Sequence, residues 1–249
     1  MSCLILPRRR YSQPSGIPEI DWSNPVTHGL LYAVIPGDTQ PIECVDPSGA
    51  VWTRYGSPSM GVDHGGRVIN IDSINSAWEM PAKRLPVLGY GTMSVIYTQH
   101  DYPTADGCYA ALTTSEDSSA SPYVYMAVKA VLTSSLIGSA PYASRAEVST
   151  LNRQFNSFIT IIRLQRWLQT THSFDKTIGD LLYADNNHSS ILGGYVNPPG
   201  SRLVIGEDYR IASRGCNAGI RLVAVWDRFI DDDELVSFYH NPWQIFKAK

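Results

Sequence analysis

The strongest constraint on this sequence is the return of turn residues, roughly every ten positions, between short runs of β-branched and aromatic residues. Turn chemistry stands at Pro36-Gly37-Asp38, Asp46-Pro47-Ser48-Gly49, Asp106-Gly107 and Asn197-Pro198-Pro199-Gly200. Gly accepts a positive φ and Pro fixes φ near the value that many turns need, so these positions interrupt regular structure. Val, Ile, Thr, Tyr and Trp fit the pleated, half-buried surface of a sheet. The spacing predicts an all-β fold of two packed antiparallel sheets.

The predicted strands cover most of the chain after residue 28. They are Leu30–Ile35, Ala50–Tyr55, Arg67–Ile71, Thr92–Thr98, Tyr109–Thr114, Tyr123–Val131, Phe158–Leu164, Trp167–Thr171, Leu203–Ile205 and Ile220–Trp226. The 249 residues suffice for one sizeable core, and neither an internal repeat nor a break in composition marks a second domain. We therefore predict one β-sandwich over residues 28–249.

The first 27 residues lack the pattern of a strand or a helix. Four prolines recur in them without a period: Pro7, Pro14, Pro18 and Pro25. Proline has no N–H and a fixed φ, so this stretch predicts an extended N-terminal arm.

The arm is expected to dock rather than to stay in solvent. It carries the apolar residues Leu4, Ile5 and Leu6 next to the cations Arg8, Arg9 and Arg10. Apolar side chains are unfavourable in water, and extended chains add to sheet edges or lie in grooves between subunits. The six side chains are therefore predicted to contact a partner protein. The alternative is that the arm wraps its own sandwich, with Trp22 anchoring it and closing one end of the core.

One helix is predicted near the C-terminus. Asp231 can cap Asp232–His240, and Glu234 follows three residues later, as a capping box requires. Asn241-Pro242 ends the helix, because proline cannot continue it. The apolar tail after it is expected to fold back onto the sandwich. We therefore predict packing roles for Trp226, Trp243 and Phe246.

Cysteine usage and the N-terminus bear on the compartment. Cys3, Cys44, Cys108 and Cys216 are far apart without a zinc-type spacing, so mostly free, buried thiols are expected. The first apolar run is short and precedes the charges, the reverse of a signal peptide, and no run approaches the roughly 18 residues of a membrane span. Synthesis in a cytoplasm and no membrane partner are expected. The net charge of −3 argues against direct contact with nucleic acid.

Several segments resemble a known family. The run Ile220–Glu234, followed by Asn241-Pro242-Trp243-Gln244-Ile245-Phe246, is similar to concanavalin A-like (laminin G-like) jelly-roll proteins of tailed bacteriophages. In that group a strand ending in Trp and Arg leads to a short, acid-capped helix and an Asn-Pro-Trp close. The segments Ile20–Pro25, Gly29–Ala33 and Gly91–Val95 resemble other parts of these domains, so the motifs bracket residues 19–246. Residues 100–200 contribute nothing to the resemblance.

The resemblance implies a jelly roll in a virion, assembled in the bacterial host cytoplasm with other virion proteins as partners and forming a homo-oligomer. Our first expectation is a structural protein, such as a capsid decoration or head-associated protein. The alternative is a glycan-binding adhesin of a tail or fibre, with a host-surface glycan as partner. A polysaccharide-degrading enzyme is the remote alternative. One fold hosts many functions, so the fold does not decide among them.

Catalysis is not expected. Concanavalin-like glucanases carry a Glu-x-Asp-x-Glu strand, and retaining glycosidases need two carboxyl groups roughly 5–5.5 Å apart. Glu19 and Asp21 are present here, but position 23 is Ser23, so Asp21 is expected to cap a turn instead. The sequence also lacks a His-Glu-x-x-His motif, a Gly-x-Ser-x-Gly motif and a phosphate-binding Gly loop.

No cofactor is expected, but a calcium ion is the alternative at two groups of oxygen ligands. These are Asp185-Asn186-Asn187-His188 and Glu207-Asp208, which read as loops. Laminin G-like domains often hold one calcium at the loop rim through such groups. The spacing matches no defined calcium loop, so Asp185, Asn187, Glu207 and Asp208 are either ligands or solvated loop residues. The acidic run from Asp231 to Glu234 is explained by the helix cap.

Overall fold

The computed structural model describes residues 13–14, 16–63, 66–72, 76–81, 90–100, 107–113, 124–132, 137–144, 152–154, 167–175, 179–184, 187–191, 202–206, 217–228 and 230–247. Within these ranges the strands are β1 (Leu30–Pro36), β2 (Pro41–Glu43), β3 (Thr53–Tyr55), β4 (Ser59–Asp63), β5 (Gly66–Ile71), β6 (Ala77–Pro81), β7 (Tyr90–Gln99), β8 (Gly107–Thr113), β9 (Val124–Leu132), β10 (Ile137–Ser144), β11 (Asn152–Gln154), β12 (Trp167–Asp175), β13 (Gly179–Ala184), β14 (Asn187–Ile191), β15 (Arg202–Ile205) and β16 (Ala218–Trp226). One α-helix, α1, spans Asp232–His240. Short 3-10 turns lie at Pro25–Thr27, Pro47–Gly49 and Pro242–Ile245.

The described strands form two antiparallel sheets. The larger sheet runs β14-β13-β12-β7-β16-β1-β2, and the β4–β5 hairpin joins it because β5 also pairs with β16. The smaller sheet runs β11-β10-β9-β8-β15-β6-β3. The predicted fold class, a two-sheet antiparallel jelly-roll sandwich with one short C-terminal helix, is confirmed.

The main core lies between the two sheets. It combines β1, β5, β7 and β16 of the larger sheet with β6, β8 and β15 of the smaller one. Tyr97 on β7 stacks on Tyr109 on β8, with 3.8 Å between ring centroids. Trp52, Trp78 and Met80 close the β3–β6 end of this core. Burial of these side chains is the main favourable term that holds the sheets together.

A second apolar cluster lies on the opposite face of the larger sheet. Ala33, Leu222 and Trp226 point to this side, where α1, the C-terminal 3-10 turn and residues 18–27 cover them. We call residues 16–28 and 227–247 the outer layer. Phe238 of α1 meets Trp226 edge-on, with 5.2 Å between ring centroids. The molecule therefore has three layers, and the outer one is made by the two ends of the described chain.

The described part of the predicted arm belongs to this outer layer. Ile20 and Val26 are buried in the second cluster, and Ile20 forms a β-bridge with Phe246. Ile20 and Val26, which lie in the predicted arm, are thus part of the folded body. Residues 1–12, with the partner-binding prediction for Leu4, Ile5, Leu6, Arg8, Arg9 and Arg10, lie outside the described residues.

The remaining secondary-structure predictions were partly confirmed and partly wrong. Most predicted strands overlap an observed one, and the helix has the predicted bounds. The sequence missed β2, β4, β6, β10, β11, β13 and β14, and the predicted strand Phe158–Leu164 lies outside the described residues. Asn187 and His188, predicted as loop residues, begin β14 and pair with β13. The loop prediction was wrong there because backbone pairing with the neighbouring strand β13 overrides their polar composition.

Glu43 and Cys44, at the end of β2, are both buried. One carboxylate oxygen of Glu43 accepts from the backbone N–H groups of Val45 (2.9 Å) and Ala33 (3.3 Å), and the other from Asp46 (2.7 Å). Burial, and secondarily the charge of Glu43, raises the pKa of the Cys44 thiol to about 12. Cys44 and Cys108 are free and buried, in line with the sequence, while Cys3 and Cys216 lie outside the described residues.

Gln13 and Arg221 close a gap in the larger sheet. The register between β16 and β7 shifts between Ile220 and Leu222. On the other edge of β16, the partner strand changes at the same place from β5 to β1. The buried Arg221 guanidinium binds the carboxylate of Asp63 at 2.5 Å. The Gln13 amide accepts from the backbone N–H of Arg67 and donates to its carbonyl, both at 2.8 Å. The Gln13 side chain thereby satisfies the backbone of β5 at Arg67, as a neighbouring strand would.

Candidate functional site

Trp22 is more exposed than the other tryptophans whose side chains the structure describes. Trp52, Trp78, Trp226 and Trp243 are at most 9% exposed, whereas Trp22 is 52% exposed. The prediction that Trp22 anchors the arm and closes the core is therefore wrong. Ile20, two residues earlier, is the side chain that enters the core. Among the tryptophans whose side chains are described, Trp22 alone presents about half of its surface to solvent, where its aromatic face is accessible to a ligand.

A tight turn directs the Trp22 side chain outward. One carboxylate oxygen of Asp21 accepts from the backbone N–H of Ser23 (3.1 Å) and from its hydroxyl (2.5 Å). The backbone N–H of Asn24 donates to the Asp21 carbonyl at 3.0 Å. An Asp side chain that bonds the backbone two residues on makes an Asx turn, which ends the extended run before Trp22. We call residues 21–24 the Trp22 turn.

Hydrogen bonds of Asn24 and Thr27 fix the position of the turn. The Asn24 side chain accepts from the backbone N–H of Val26 at 3.0 Å and so caps the first 3-10 turn. The buried Thr27 hydroxyl donates to the Asp21 carbonyl at 2.9 Å. The indole Nε1 of Trp226 donates to the Val26 carbonyl at 2.7 Å. Trp226 thus links this segment to the central strand of the larger sheet.

The other side of the turn is tied to the C-terminal segment. The backbone N–H of Asp21 donates to the Ile245 carbonyl at 2.8 Å, and that of Lys247 donates to the Glu19 carbonyl at 2.9 Å. The Asn24 side-chain amide donates to the Gln244 carbonyl at 3.1 Å, and the Gln244 amide donates to the Ser237 hydroxyl at 3.2 Å. A row of amide and hydroxyl groups therefore borders the Trp22 turn.

The outer layer is strongly acidic. Its sequence contains seven carboxylates and two cations, Arg228 and Lys247. Both guanidinium Nη atoms of Arg228 bind Glu234, each at 2.6 Å, and Lys247 binds Glu19 at 2.8 Å. The hydrogen bond to Glu19 raises the pKa of Lys247. Each cation is thus already paired with a carboxylate of the same layer.

At the start of α1, the structure has the N-cap hydrogen bond of the predicted capping box. Asp231 accepts from the backbone N–H of Glu234 at 2.9 Å, as an N-cap does. The Glu234 carboxylate binds Arg228, which also donates to the carbonyls of His28 (2.7 Å) and Pro25 (3.2 Å). The reciprocal bond of a capping box is replaced by an ion pair, because Arg228 presents a fork that fits both carboxylate oxygens.

The remaining site residues are placed as follows. Trp226, Trp243 and Phe246 are buried, as packing roles require, and Trp243 stacks on Phe246 at 6.3 Å between ring centroids. Asp185, Glu207 and Asp208 lie outside the described residues, and Asn187 begins β14. Among the described residues no group of three His, Cys, Asp or Glu side chains could hold a metal ion. None of the described helices is long and apolar enough to span a membrane.

The sequence indicated that Asp21 caps a turn, and the structure has this turn, but the exposure of Trp22 on it was not predicted. The signal that could have indicated it is the pair Asp21 and Ser23, which flank the tryptophan at the spacing of an Asx turn. Chemically, the arrangement combines an exposed aromatic face with carboxylate, hydroxyl and amide groups. An aromatic face covers apolar surface, while the polar groups form directed hydrogen bonds, so the surface suits a ligand with both properties.

Comparison with known proteins found similarity in structure alone. No family profile matches the chain, and no curated protein matches it in sequence. The binding domain of botulinum neurotoxin DC, in complex with SialylT, superposes with a TM-score of 0.59 at 7% identity, over 86% of this chain and 52% of the toxin chain. Domain 4 of AbnA, an extracellular GH43 arabinanase from Geobacillus stearothermophilus in complex with arabinotriose, gives 0.59 at 8% identity, over 84% and 98%.

The Trypanosoma rangeli sialidase in complex with sialic acid gives a TM-score of 0.57 at 12% identity, over 89% of this chain and 34% of the sialidase. The chain thus spans about half the length of the toxin chain and a third of the sialidase. At these identities the likeness establishes the fold, which is consistent with a concanavalin-like jelly roll.

Proposed function

We propose that this chain is a non-enzymatic glycan-binding module, and that the Trp22 turn is its binding surface. The observation that carries the proposal is the 52% exposed indole of Trp22, held on a turn whose side chains and backbone are hydrogen-bonded to the folded body. A sugar ring offers an apolar C–H face and a rim of hydroxyl groups. The indole suits the face, and the groups of Asp21, Ser23 and Asn24 suit the hydroxyls.

The structural neighbours support this proposal over a role in the capsid. The arabinanase domain and the sialidase are each in complex with a sugar by their own descriptions. The arabinanase domain is matched over 98% of its length, so the module as a whole, rather than one part of a larger enzyme, is similar. These ligands belong to those proteins, and binding of a glycan by this chain is our inference.

The absence of catalysis is part of the proposal. The Glu19 carboxylate binds Lys247, one oxygen of Asp21 accepts two bonds from Ser23, and no carboxylate stands at position 23. A general acid and a nucleophile need two carboxyl groups placed across a glycosidic bond. Glu19 and Asp21 instead hold the C-terminal segment and the turn in place.

The resemblance to phage jelly rolls suggests where such a module works. We place it in a virion of a tailed bacteriophage, on a tail or fibre, with a host-surface glycan as its ligand and virion proteins, including copies of itself, as its neighbours. The expectation of head decoration came from the same resemblance and involved assembly through the arm and the edges of the sandwich, and arm residues 1–12 lie outside the described residues. Immunogold labelling of virions with an antibody to this chain separates the tail from the head.

The proposal is tested by binding to an oligosaccharide array and by titration calorimetry. Trp22→Ala is expected to abolish binding without lowering the melting temperature, because the exposed indole contributes little to the core. Trp22→Tyr, which keeps an aromatic face, is expected to retain part of the affinity. Val51 is 71% exposed and lies beside β3 in the smaller sheet, so Val51→Ala is the matched control. Binding that survives Trp22→Ala unchanged would refute this site.

A further inference from the structure

We infer that the Trp22 turn selects neutral oligosaccharides and rejects sugars that carry a carboxylate, such as sialic or uronic acids. The inference rests on the proposed function and adds the chemical class of its ligand. The structural neighbours leave this class open, because one is described with arabinotriose, a neutral sugar, and another with sialic acid. The charges of the outer layer decide between the two.

The first argument is the field around the turn. The outer layer has seven carboxylates against two cations, and both cations are engaged in ion pairs with Glu19 and Glu234. Exposed charges interact over a Debye length of about 8–10 Å at ordinary salt concentrations. Among the described residues, a ligand carboxylate at Trp22 therefore meets the adjacent Asp21 carboxylate and an outer layer whose net charge is negative. Repulsion of this kind is how a site discriminates against a wrong ligand.

The second argument is the hydrogen-bonding chemistry of Asp21. An ionised carboxylate only accepts hydrogen bonds, and it has about four lone-pair positions. Ser23 occupies one oxygen of Asp21, at 3.1 Å from its backbone nitrogen and 2.5 Å from its hydroxyl. A neutral sugar presents O–H donors that this carboxylate can accept. A sugar carboxylate offers no proton at neutral pH, so the pair would place two anions face to face.

The third argument is that both cations in the described part of the outer layer are already held by carboxylates. The backbone N–H of Lys247 donates to the carbonyl of Glu19, two residues before the turn. The ammonium group of Lys247 binds the Glu19 carboxylate at 2.8 Å. Arg228 is held by Glu234 and by two backbone carbonyls. Recruiting either cation to an acidic sugar would break an existing ion pair. Acidic sugars are normally bound by such cations, usually in bidentate geometry.

The test uses matched neutral and acidic probes on the full chain. The probes are arabinotriose, maltotriose and lactose on one side, and trigalacturonic acid and 3′-sialyllactose on the other, each at low and at high salt. We expect Trp22-dependent binding of at least one neutral probe, with little dependence on salt. The acidic probes are expected to bind more weakly, and the difference is expected to shrink at high salt, because ions screen the repulsion.

Asp21→Asn is the variant that isolates the charge. Asn keeps an oxygen that accepts from Ser23, so the turn is preserved while one negative charge is removed. Affinity for acidic probes is expected to rise about fivefold at low salt, the factor for a pair of unit charges about 4 Å apart in water. Affinity for neutral probes is expected to change less.

The outcomes separate the inference from the function. Trp22-dependent binding that favours an acidic probe would overturn the inference and leave the glycan-binding function standing. No Trp22-dependent binding to either set would refute the function, and the inference with it. The third outcome is a preference for neutral over acidic probes that changes neither in Asp21→Asn nor at high salt. It would also overturn the inference, because charge would then not cause the preference.

Discussion

Replacing Trp226 by Phe tests whether the outer layer is held by a specific hydrogen bond or only by apolar contact. Trp226 is fully buried and its Nε1 donates to the Val26 carbonyl at 2.7 Å. Phenylalanine keeps an aromatic edge for Phe238 but leaves the buried carbonyl without this donor, which costs about 1–3 kcal/mol. The smaller ring leaves a space of roughly 40 Å³, which costs about 1 kcal/mol more at about 24 cal/mol per Å³. The expected loss is therefore about 2–4 kcal/mol.

Trp243→Phe is the matched control for this prediction. Trp243 is also buried in the second cluster, but its Nε1 has no hydrogen-bond partner among the described residues. Only the cavity contribution, about 1 kcal/mol, is expected there. Domains are stable by about 5–15 kcal/mol, so both variants are expected to fold.

The assay is equilibrium unfolding in urea, followed by far-ultraviolet circular dichroism because both variants alter the fluorescence. The dependence of the unfolding free energy on urea should be the same for wild type and variants, so that the midpoints report stability. Equal losses in Trp226→Phe and Trp243→Phe would refute the reasoning, since the hydrogen bond to Val26 would then contribute nothing. A loss in Trp226→Phe below 1 kcal/mol would do the same.

Three further predictions concern the rest of the fold. Glu43→Gln is expected to lower the unfolding free energy by about 2 kcal/mol in urea, because an amide cannot accept all three backbone N–H groups that the buried carboxylate binds; an unchanged midpoint would contradict this. The pKa of Cys44 is raised to about 12 in the folded state. The unfolded thiol ionises at lower pH, so its contribution to stability is present below about pH 9 and is lost towards pH 12. Between these values the unfolding free energy of Cys44→Ala should fall less steeply with pH than that of wild type. Parallel plots of unfolding free energy against pH would show that the thiol is not the cause. Deleting residues 1–12 is expected to preserve the melting temperature, whereas deleting 1–27 removes Ile20 and Val26 from the second cluster and should prevent folding; a folded 1–27 deletion would show that this layer is dispensable.

Local signals in the sequence predicted the parts of the fold that local interactions determine. The helix was predicted with its observed bounds because Asp231 and Pro242, at its two ends, act through bonds within a few residues. The central strands were predicted because their apolar and β-branched residues are unambiguous. The strands β13 and β14 were missed because their residues are largely small or polar, and their structure comes from pairing with each other and with β12.

The candidate site could not be predicted because it depends on contacts that are distant in the sequence. Trp22 lies two residues after Ile20, and a tryptophan so close to a core residue is expected to be largely buried. Its exposure follows from the turn at Asp21 and Ser23 together with the bonds from Asp21 to Ile245 and from Trp226 to Val26, which join residues more than 190 positions apart. Likewise, an arginine within the apolar strand β16 gives no indication that Asp63 will bind it.

The way in which the Trp22 turn is fixed bears directly on how it can bind. Ordering a mobile loop or side chain at an interface costs about 0.5–1.5 kcal/mol for each immobilised side chain, and this cost reduces affinity. Here the chain around Trp22 is held by Thr27 from one side, by the C-terminal segment from the other, and by Trp226 from beneath. The backbone of the turn is therefore already ordered before a ligand arrives, and only the rotation of the indole remains to be restricted. Because single sugar–indole contacts are weak, a site with one exposed aromatic depends on this prior order. Where many copies of the proposed module are displayed together, multivalent attachment would strengthen binding further.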